Sequence, residues 1–263
     1  MDLRSALIDN LTAKKSCIVA YSGGVDSALL AHLAVEALGE ERVRCILLDS
    51  PLMPRRAVRE AVTTAAALDL PLRTVSFPVL DDSRFRANPP DRCYHCRKMS
   101  AQILTGLARE MGFDTVADGA NRSDLGEFRP GLAACDEAGI VHPFMEAGLF
   151  KDDIRRIARA EGVPVWNRPS DACLATRIPY GDPLDPAALR MAEEAEEILH
   201  SRGFSPLRVR KHGDIARIEV AADAFTDLLA VREEVAAGLR EIGFVHVALD
   251  LRGFRSGSMD EGR

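Results

Sequence analysis

The six residues Ser22-Gly23-Gly24-Val25-Asp26-Ser27 restrict this chain's fold more than any other stretch. Before them stands Cys17-Ile18-Val19-Ala20, a continuous apolar run of the kind a strand shows when both its faces are buried. After them, residues 25–38 put Val25, Leu29, Leu33 and Ala37 on one helical stripe, and Gly39 supplies a stop signal. The alternation continues with a second buried strand at 43–48 and a helix at 54–69 carrying Pro54 in its first turn. A third strand follows at 72–77. A helix at 2–14, with Leu3, Leu7 and Leu11 in register, precedes the whole. Strands alternating with helices in this way predict an α/β fold with a doubly wound parallel sheet.

Residues 78–92 hold three prolines and several charges and read as a long functional loop. A helix at 97–111, a strand at 114–118 and a helix at 151–161 ending at Gly162 complete the first domain. Pro164, Pro169, Pro179, Pro183 and Pro186 mark a junction. Beyond it the pattern predicts helix 187–202, strands 207–211 and 215–220, helix 223–240 and strand 245–251. The expected division is a larger domain over 1–182 and a smaller C-terminal α+β domain over 183–263. A chain of 263 residues has room for both.

Charge narrows the function. The net charge is −6, with −2 on residues 1–182 and −4 on residues 183–263. Neither part carries the basic excess of a protein that grips a nucleic-acid backbone. The balance therefore points to a small-molecule substrate and no nucleic acid. No run of eighteen apolar residues predicts a membrane span, and no secretory signal opens the chain, so the expected location is the cytoplasm.

The Ser22–Ser27 loop suits a phosphate. Gly23 and Gly24 let the backbone approach closely, and the following helix presents its free N–H groups and positive dipole end. Ser22 and Ser27 add hydroxyls. Asp26 beside phosphates calls for an intervening Mg²⁺. The Gly-Lys-Ser/Thr ending of a Walker A loop is missing, as is the Gly-x-Gly-x-x-Gly dinucleotide pattern. The hexapeptide instead resembles the PP-loop of the N-type ATP pyrophosphatases, which cleave ATP between its α- and β-phosphates and adenylate an oxygen of their substrate. Asp49, at the carboxyl end of the second strand, stands where such sheets bind ligands. Asp118-Gly119-Ala120-Asn121 resembles the family's Gly-Thr-Asn-x-Asp-Asp stretch, with Ala120 in place of Thr and Asp124 remaining of the paired acids. Lys151 opens a helix where the family places a phosphate-contacting lysine.

Six cysteines remain to be placed. Cys17, Cys45 and Cys135 lie in apolar surroundings and read as packing. Cys93-Tyr94-His95-Cys96 sets two thiols at a spacing compatible with half a zinc site, a redox pair or part of an iron–sulfur site. Cys173 adds a third thiol with no clear fourth ligand, which suits a 4Fe-4S cluster with one open iron.

Four segments then carry a closer resemblance. They are Asp91-Arg92-Cys93-Tyr94-His95-Cys96-Arg97-Lys98, the run from Arg168-Pro169-Ser170-Asp171-Ala172-Cys173 to Gly181, Arg208-Val209-Arg210-Lys211-His212-Gly213, and Gly253-Phe254-Arg255-Ser256-Gly257-Ser258. With the phosphate loop, and in the same order over nearly the whole chain, they resemble the LarE family. That resemblance implies an ATP-dependent sulfur transferase in the biosynthesis of the nickel-pincer nucleotide cofactor, which serves lactate racemase. The implied substrate is a pyridinium-3,5-biscarboxylate mononucleotide, whose carboxylates are adenylated and converted to thiocarboxylates.

The family has two sulfur routes. In one, the cysteine matching Cys173 gives up its own sulfur; in the other, it joins two more to hold a 4Fe-4S cluster that passes on sulfide. Cys93, Cys96 and Cys173 together imply the cluster route, with the sacrificial route on Cys173 as the alternative. The resemblance also implies that Lys98 or Lys151 holds the triphosphate and that Arg208 and Arg210 hold the substrate phosphate, while Arg177, four residues after Cys173, is expected from its spacing to meet a carboxylate. It further implies an external sulfide donor and a homo-oligomer. The neighbouring readings are a tRNA thiolase, which would bind RNA in a salt-sensitive way, an ammonia-using ligase, which needs no cysteine trio, and a nucleotide sensor, which releases no pyrophosphate.

Overall fold

The computed structural model describes residues 3–126, 130–169 and 172–255. Of the positions named above, Asp2, Ser170, Asp171 and Ser256–Ser258 lie outside these. The elements run α1 (Leu3–Thr12), β1 (Cys17–Tyr21), α2 (Val25–Leu38), β2 (Val43–Asp49), α3 (Arg55–Ala67), β3 (Leu72–Ser76), α4 (Ser83–Arg86), α5 (Arg92–Met111), β4 (Thr115–Ala117), α6 (Pro130–Glu137), α7 (Pro143–Glu146) and α8 (Lys151–Ala160). They continue with α9 (Pro186–His200), β5 (Leu207–His212), β6 (Ile215–Val220), α10 (Phe225–Ala230), α11 (Arg232–Ile242) and β7 (His246–Leu249).

The chain divides into two compact units: Met1–Val79 with Asp91–Asp171, and Leu80–Pro90 with Ala172–Arg263. The proline-rich stretch 164–186 therefore straddles the boundary, and the 80–90 segment belongs to the second unit.

The first unit is built on a parallel sheet in the order β3-β2-β1-β4. The apolar run of β1 is central, and Cys17, Ile18 and Val19 are inaccessible to solvent. Parallel neighbours require helical crossovers, and these cover the faces. One core joins α1, α2 and α8 to the sheet through Leu7, Leu11, Leu29, Leu33, Ile154 and Ala158. A second packs α5 and α6 on the other face through Ile18, Ile46, Leu104, Val116 and Cys135. Doubly wound packing places all the β→α junctions at one edge of the sheet.

The second unit has its own core and a three-stranded sheet in the order β5-β6-β7, antiparallel then parallel. Leu199, Leu207, Val209, Ala216, Val220 and Leu239 are its inaccessible centre. The helix expected at 223–240 is broken into a 3-10 turn, α10 and α11, with the step at Val231.

Candidate active site

The phosphate loop leaves β1 at Tyr21 and enters α2 at Val25. Gly23 takes φ +78°, and a Cβ there would lie 2.4 Å from the Ala61 Cβ. The Tyr21 hydroxyl donates to the Ala61 carbonyl at 2.9 Å, so the loop is pressed against α3. Ser27 closes the turn: its hydroxyl accepts from the Ser22 N–H at 3.1 Å and donates to the Gly24 carbonyl at 3.1 Å. The first N–H groups of α2 have no intrahelical acceptors and face the loop.

Two other junctions converge on it. Gly119, just past β4, packs so closely that a Cβ there would lie 2.9 Å from the Asp26 Cβ. Asn121 is buried, its side-chain Oδ1 accepts from the Ser123 N–H at 3.0 Å, and its backbone N–H donates to Asp124 Oδ2 at 2.9 Å. The Ser123 hydroxyl accepts from the Lys151 N–H at 3.0 Å, which seats the start of α8 beside this turn. From there the Lys151 ammonium donates to Asp26 Oδ2. The other carboxylate oxygen, Oδ1, is buried without a hydrogen-bond partner. Ser22–Ser27, Asn121, Asp124 and Lys151 are thus brought together. Asp49 ends β2 at the same sheet edge and pairs with Arg55 at 2.7 Å.

Behind this turn lies a group that periodicity did not single out. His142 Nδ1 meets Asp118 at 2.6 Å and its Nε2 meets Asp136 at 3.1 Å. Burial works against both charges, but the hydrogen bond and mutual attraction outweigh it. The His142 pKa is raised and that of Asp118 lowered. The His142 ring fixes the carboxylate, and Asp118 in turn accepts from the Ala120 N–H at 3.0 Å.

The cysteines separate by environment. Burial pushes the thiols of Cys17 and Cys45 up to about 12 and that of Cys135 up to about 11, which suits packing. Cys93 is exposed and Cys96 and Cys173 are partly exposed. The helix holding Cys93 and Cys96 begins at Arg92, five residues before the expected start, so both lie one turn apart on α5. Lys98, on the same helix, is half exposed and reaches the Tyr94 hydroxyl at 3.4 Å.

In the second unit, Cys173 precedes a 3-10 turn at Leu174–Arg177. Arg177, expected to meet a carboxylate, is held inside this unit by a protein carboxylate. It is 0% exposed, and its guanidinium fork is engaged by Glu196 at 2.8 and 2.9 Å. Arg208 and Arg210 do share one face of β5, but they differ. Arg210 is 4% exposed and donates to Glu219 at 2.9 Å. Arg208 is partly exposed and stacks over Phe254 at 5.2 Å.

Elsewhere among the described residues, His32, Glu36 and Glu161 form a compact group, but Arg4 already donates to both carboxylates. No helix among the described residues is long and apolar enough to cross a membrane.

A glycine-bearing strand-to-helix turn, an aspartate with a free oxygen and a lysine, all at one edge of a parallel sheet, define an ATP-using enzyme of the PP-loop class. The NAD synthase family model matches residues 3–86, which contain that loop. An NH₃-dependent NAD⁺ synthetase of Aeropyrum pernix is 31% identical over 56% of this chain and 54% of its own. The similarity to a pyridinium-3,5-bisthiocarboxylic acid mononucleotide synthase of Lactiplantibacillus plantarum extends much further: 34% identity over 98% of this chain and 94% of that protein. An uncharacterised protein of Synechocystis is 32% identical over 92% of this chain and 91% of its own. The chain belongs to the LarE family of PP-loop, ATP-dependent sulfur transferases.

Proposed function

We propose that this enzyme converts the two carboxylates of a pyridinium-3,5-biscarboxylate mononucleotide to thiocarboxylates, one ATP per exchange, in the biosynthesis of a nickel-pincer cofactor. The observation that carries this reading is the reach of the similarity. It spans the second unit, with Cys173, Arg208 and Arg210, where the NAD synthetase relative covers only 56% of the chain.

The carboxylate oxygen attacks the α-phosphorus of ATP, the bond to the β-phosphate breaks, and pyrophosphate leaves. A sulfur nucleophile then attacks the acyl carbon, and AMP departs with the former carboxylate oxygen. Ser22–Ser27 and the first turn of α2 hold the triphosphate. Asp26 fits Mg²⁺, because a buried carboxylate oxygen without a partner is a suitable hard donor for it; the ion would neutralise phosphate charge there. Lys151 then transfers its hydrogen bonds from Asp26 to phosphate oxygens, and Lys98 is the second candidate for that role. Asp49, Asn121 and Asp124 shape the nucleotide site.

Arg208, a partly exposed residue, takes the substrate phosphate, and Arg210, buried and paired with Glu219, completes the face of β5 that binds it. Cys93, Cys96 and Cys173 are the three thiols suited to a 4Fe-4S cluster. When bound, such a cluster supplies the transferable sulfide, replenished by an external donor. The protein works in the cytoplasm as a homo-oligomer.

The test is anaerobic incubation with ATP, Mg²⁺, sulfide and the biscarboxylate mononucleotide. Oxygen-for-sulfur exchange in the product's mass, with AMP and pyrophosphate, supports the reading; ADP or an amide product overturns it. An iron and sulfide count on wild type and Cys93→Ala separates the routes. About four of each in wild type, lost in the variant, marks the cluster. An iron-free protein whose Cys173 peptide loses H₂S marks the sacrificial cysteine.

A further inference from the structure

We infer that Arg177 and Glu196 are positioning residues for sulfur transfer, forming a buried clamp that sets the Cys173 backbone against the strand bearing Arg208. The inference rests on the functional reading above, and it assigns Arg177 a different task from contact with substrate.

The geometry is specific. Glu196 lies on the buried face of α9, and its two oxygens accept from Arg177 Nε and Nη2 at 2.8 and 2.9 Å. The remaining arm of Arg177, Nη1, donates to the carbonyls of Ala172 at 2.7 Å and Cys173 at 3.2 Å and to the Thr176 hydroxyl at 2.9 Å. Thr176 in turn donates through both its N–H and its hydroxyl to the Cys173 carbonyl, at 3.0 and 2.9 Å. The backbone on either side of the sulfur-bearing residue is therefore pinned from one guanidinium.

The same carboxylate reaches the other partner. Glu196 Oε1 also accepts from the Val209 N–H at 3.0 Å, on the edge of β5 between Arg208 and Arg210. Arg210 closes the circuit by donating to the Thr176 carbonyl at 2.8 Å. One buried ion pair thus links the cysteine turn to the strand proposed to hold the substrate phosphate. A fully desolvated pair with every arm engaged holds geometry far better than an exposed one. Sulfur transfer depends on such geometry, since small misplacements of reacting atoms cost large factors in rate.

Two substitutions test this. Arg177→Lys keeps the charge and removes the fork, while Glu196→Gln keeps the shape and removes the charge. A third variant, Arg177→Gln with Glu196→Gln, removes both buried charges together. All are assayed below the onset of thermal unfolding. The expected result in the single variants is pyrophosphate release at saturating substrate within about threefold of wild type, but thiocarboxylate formed per pyrophosphate down about tenfold or more. The Thr176 and Val209 amides exchange faster with deuterium, and the double variant remains uncoupled while regaining thermal stability. An unchanged ratio in folded single variants overturns the clamp, as does parallel loss of both products tracking stability alone. If wild type makes no thiocarboxylate, the functional reading fails instead. The amide exchange then still decides whether the clamp exists.

Discussion

Replacing Gly23 by alanine isolates the physical basis of the phosphate loop. At φ +78° an L-residue is strained by about 1–2 kcal/mol. The new methyl would also sit 2.4 Å from the Ala61 Cβ and 2.7 Å from the Ala61 Cα, against a normal carbon–carbon separation of about 3.5–4.0 Å. The loop or α3 must move by about 1 Å, an overpacking cost of about 1–3 kcal/mol. The sum is about 2–5 kcal/mol, or a fall of about 5–15 °C in the melting temperature of a unit this size. The neighbouring Gly24→Ala is the control. Gly24 has φ −76°, and its added Cβ would meet only Ser22 Oγ, at 3.7 Å, so its melting temperature falls by no more than about 3 °C. Trp166, the chain's single tryptophan, packs on the core of the first unit, so its fluorescence reports the relevant transition. Gly23→Ala must also lose the stabilisation that excess ATP gives wild type through linkage. Equal melting of the two variants would refute the reasoning.

Three further outcomes follow from the same geometry. Lys151→Ala lowers pyrophosphate release by about 100-fold while leaving the melting temperature within about 3 °C, because its partner Asp26 stays partly exposed; a rate within about twofold of wild type would remove Lys151 from the site. The raised pKa of His142 gives stability that is full below its unfolded value of about 6.5 and fades as pH rises through the folded value. The melting gap between wild type and His142→Gln, read by thermal denaturation, should therefore be wider at pH 6 than at pH 9, and a gap independent of pH would contradict this. Iodoacetamide applied to the native protein near pH 8, followed by peptide mass analysis, should label Cys93, Cys96 and Cys173 ahead of Cys17, Cys45 and Cys135, whose thiols burial keeps protonated.

The first three strands and the helices between them were legible because β1 and β2 are short apolar runs largely buried on both faces, β3 is a short run at the half-exposed sheet edge, and each turn carries glycine or proline. The phosphate loop was legible for the same reason: few residues other than glycine permit its backbone. For α5, Pro89-Pro90 suggest a loop that continues to 97. In fact Asp91 follows them as the helix cap, and this places Cys93 and Cys96 on the helix. Residues 130–137 and 143–146 form helices too short for a periodic signal. Spacing shows that Arg177 lies near Cys173 but does not show its burial. A signal for its partner was present: Glu196 stands seven residues after Leu189, four after Ala192 and three before Leu199, on the apolar stripe of α9. An acid at such a position needs a buried cation. The pairing of Asp118 with His142 had no such mark, because it joins residues 24 apart through the sheet crossover.

The most direct test of ATP-dependent sulfur transfer uses substrate carrying ¹⁸O in both carboxylates, with ATP, Mg²⁺ and the sulfide source, and mass analysis of the nucleotide released. The account predicts AMP bearing one ¹⁸O for each thiocarboxylate formed, because the carboxylate oxygen attacks the α-phosphorus and leaves with it. Unlabelled AMP, or label appearing in inorganic phosphate beside ADP, would contradict it.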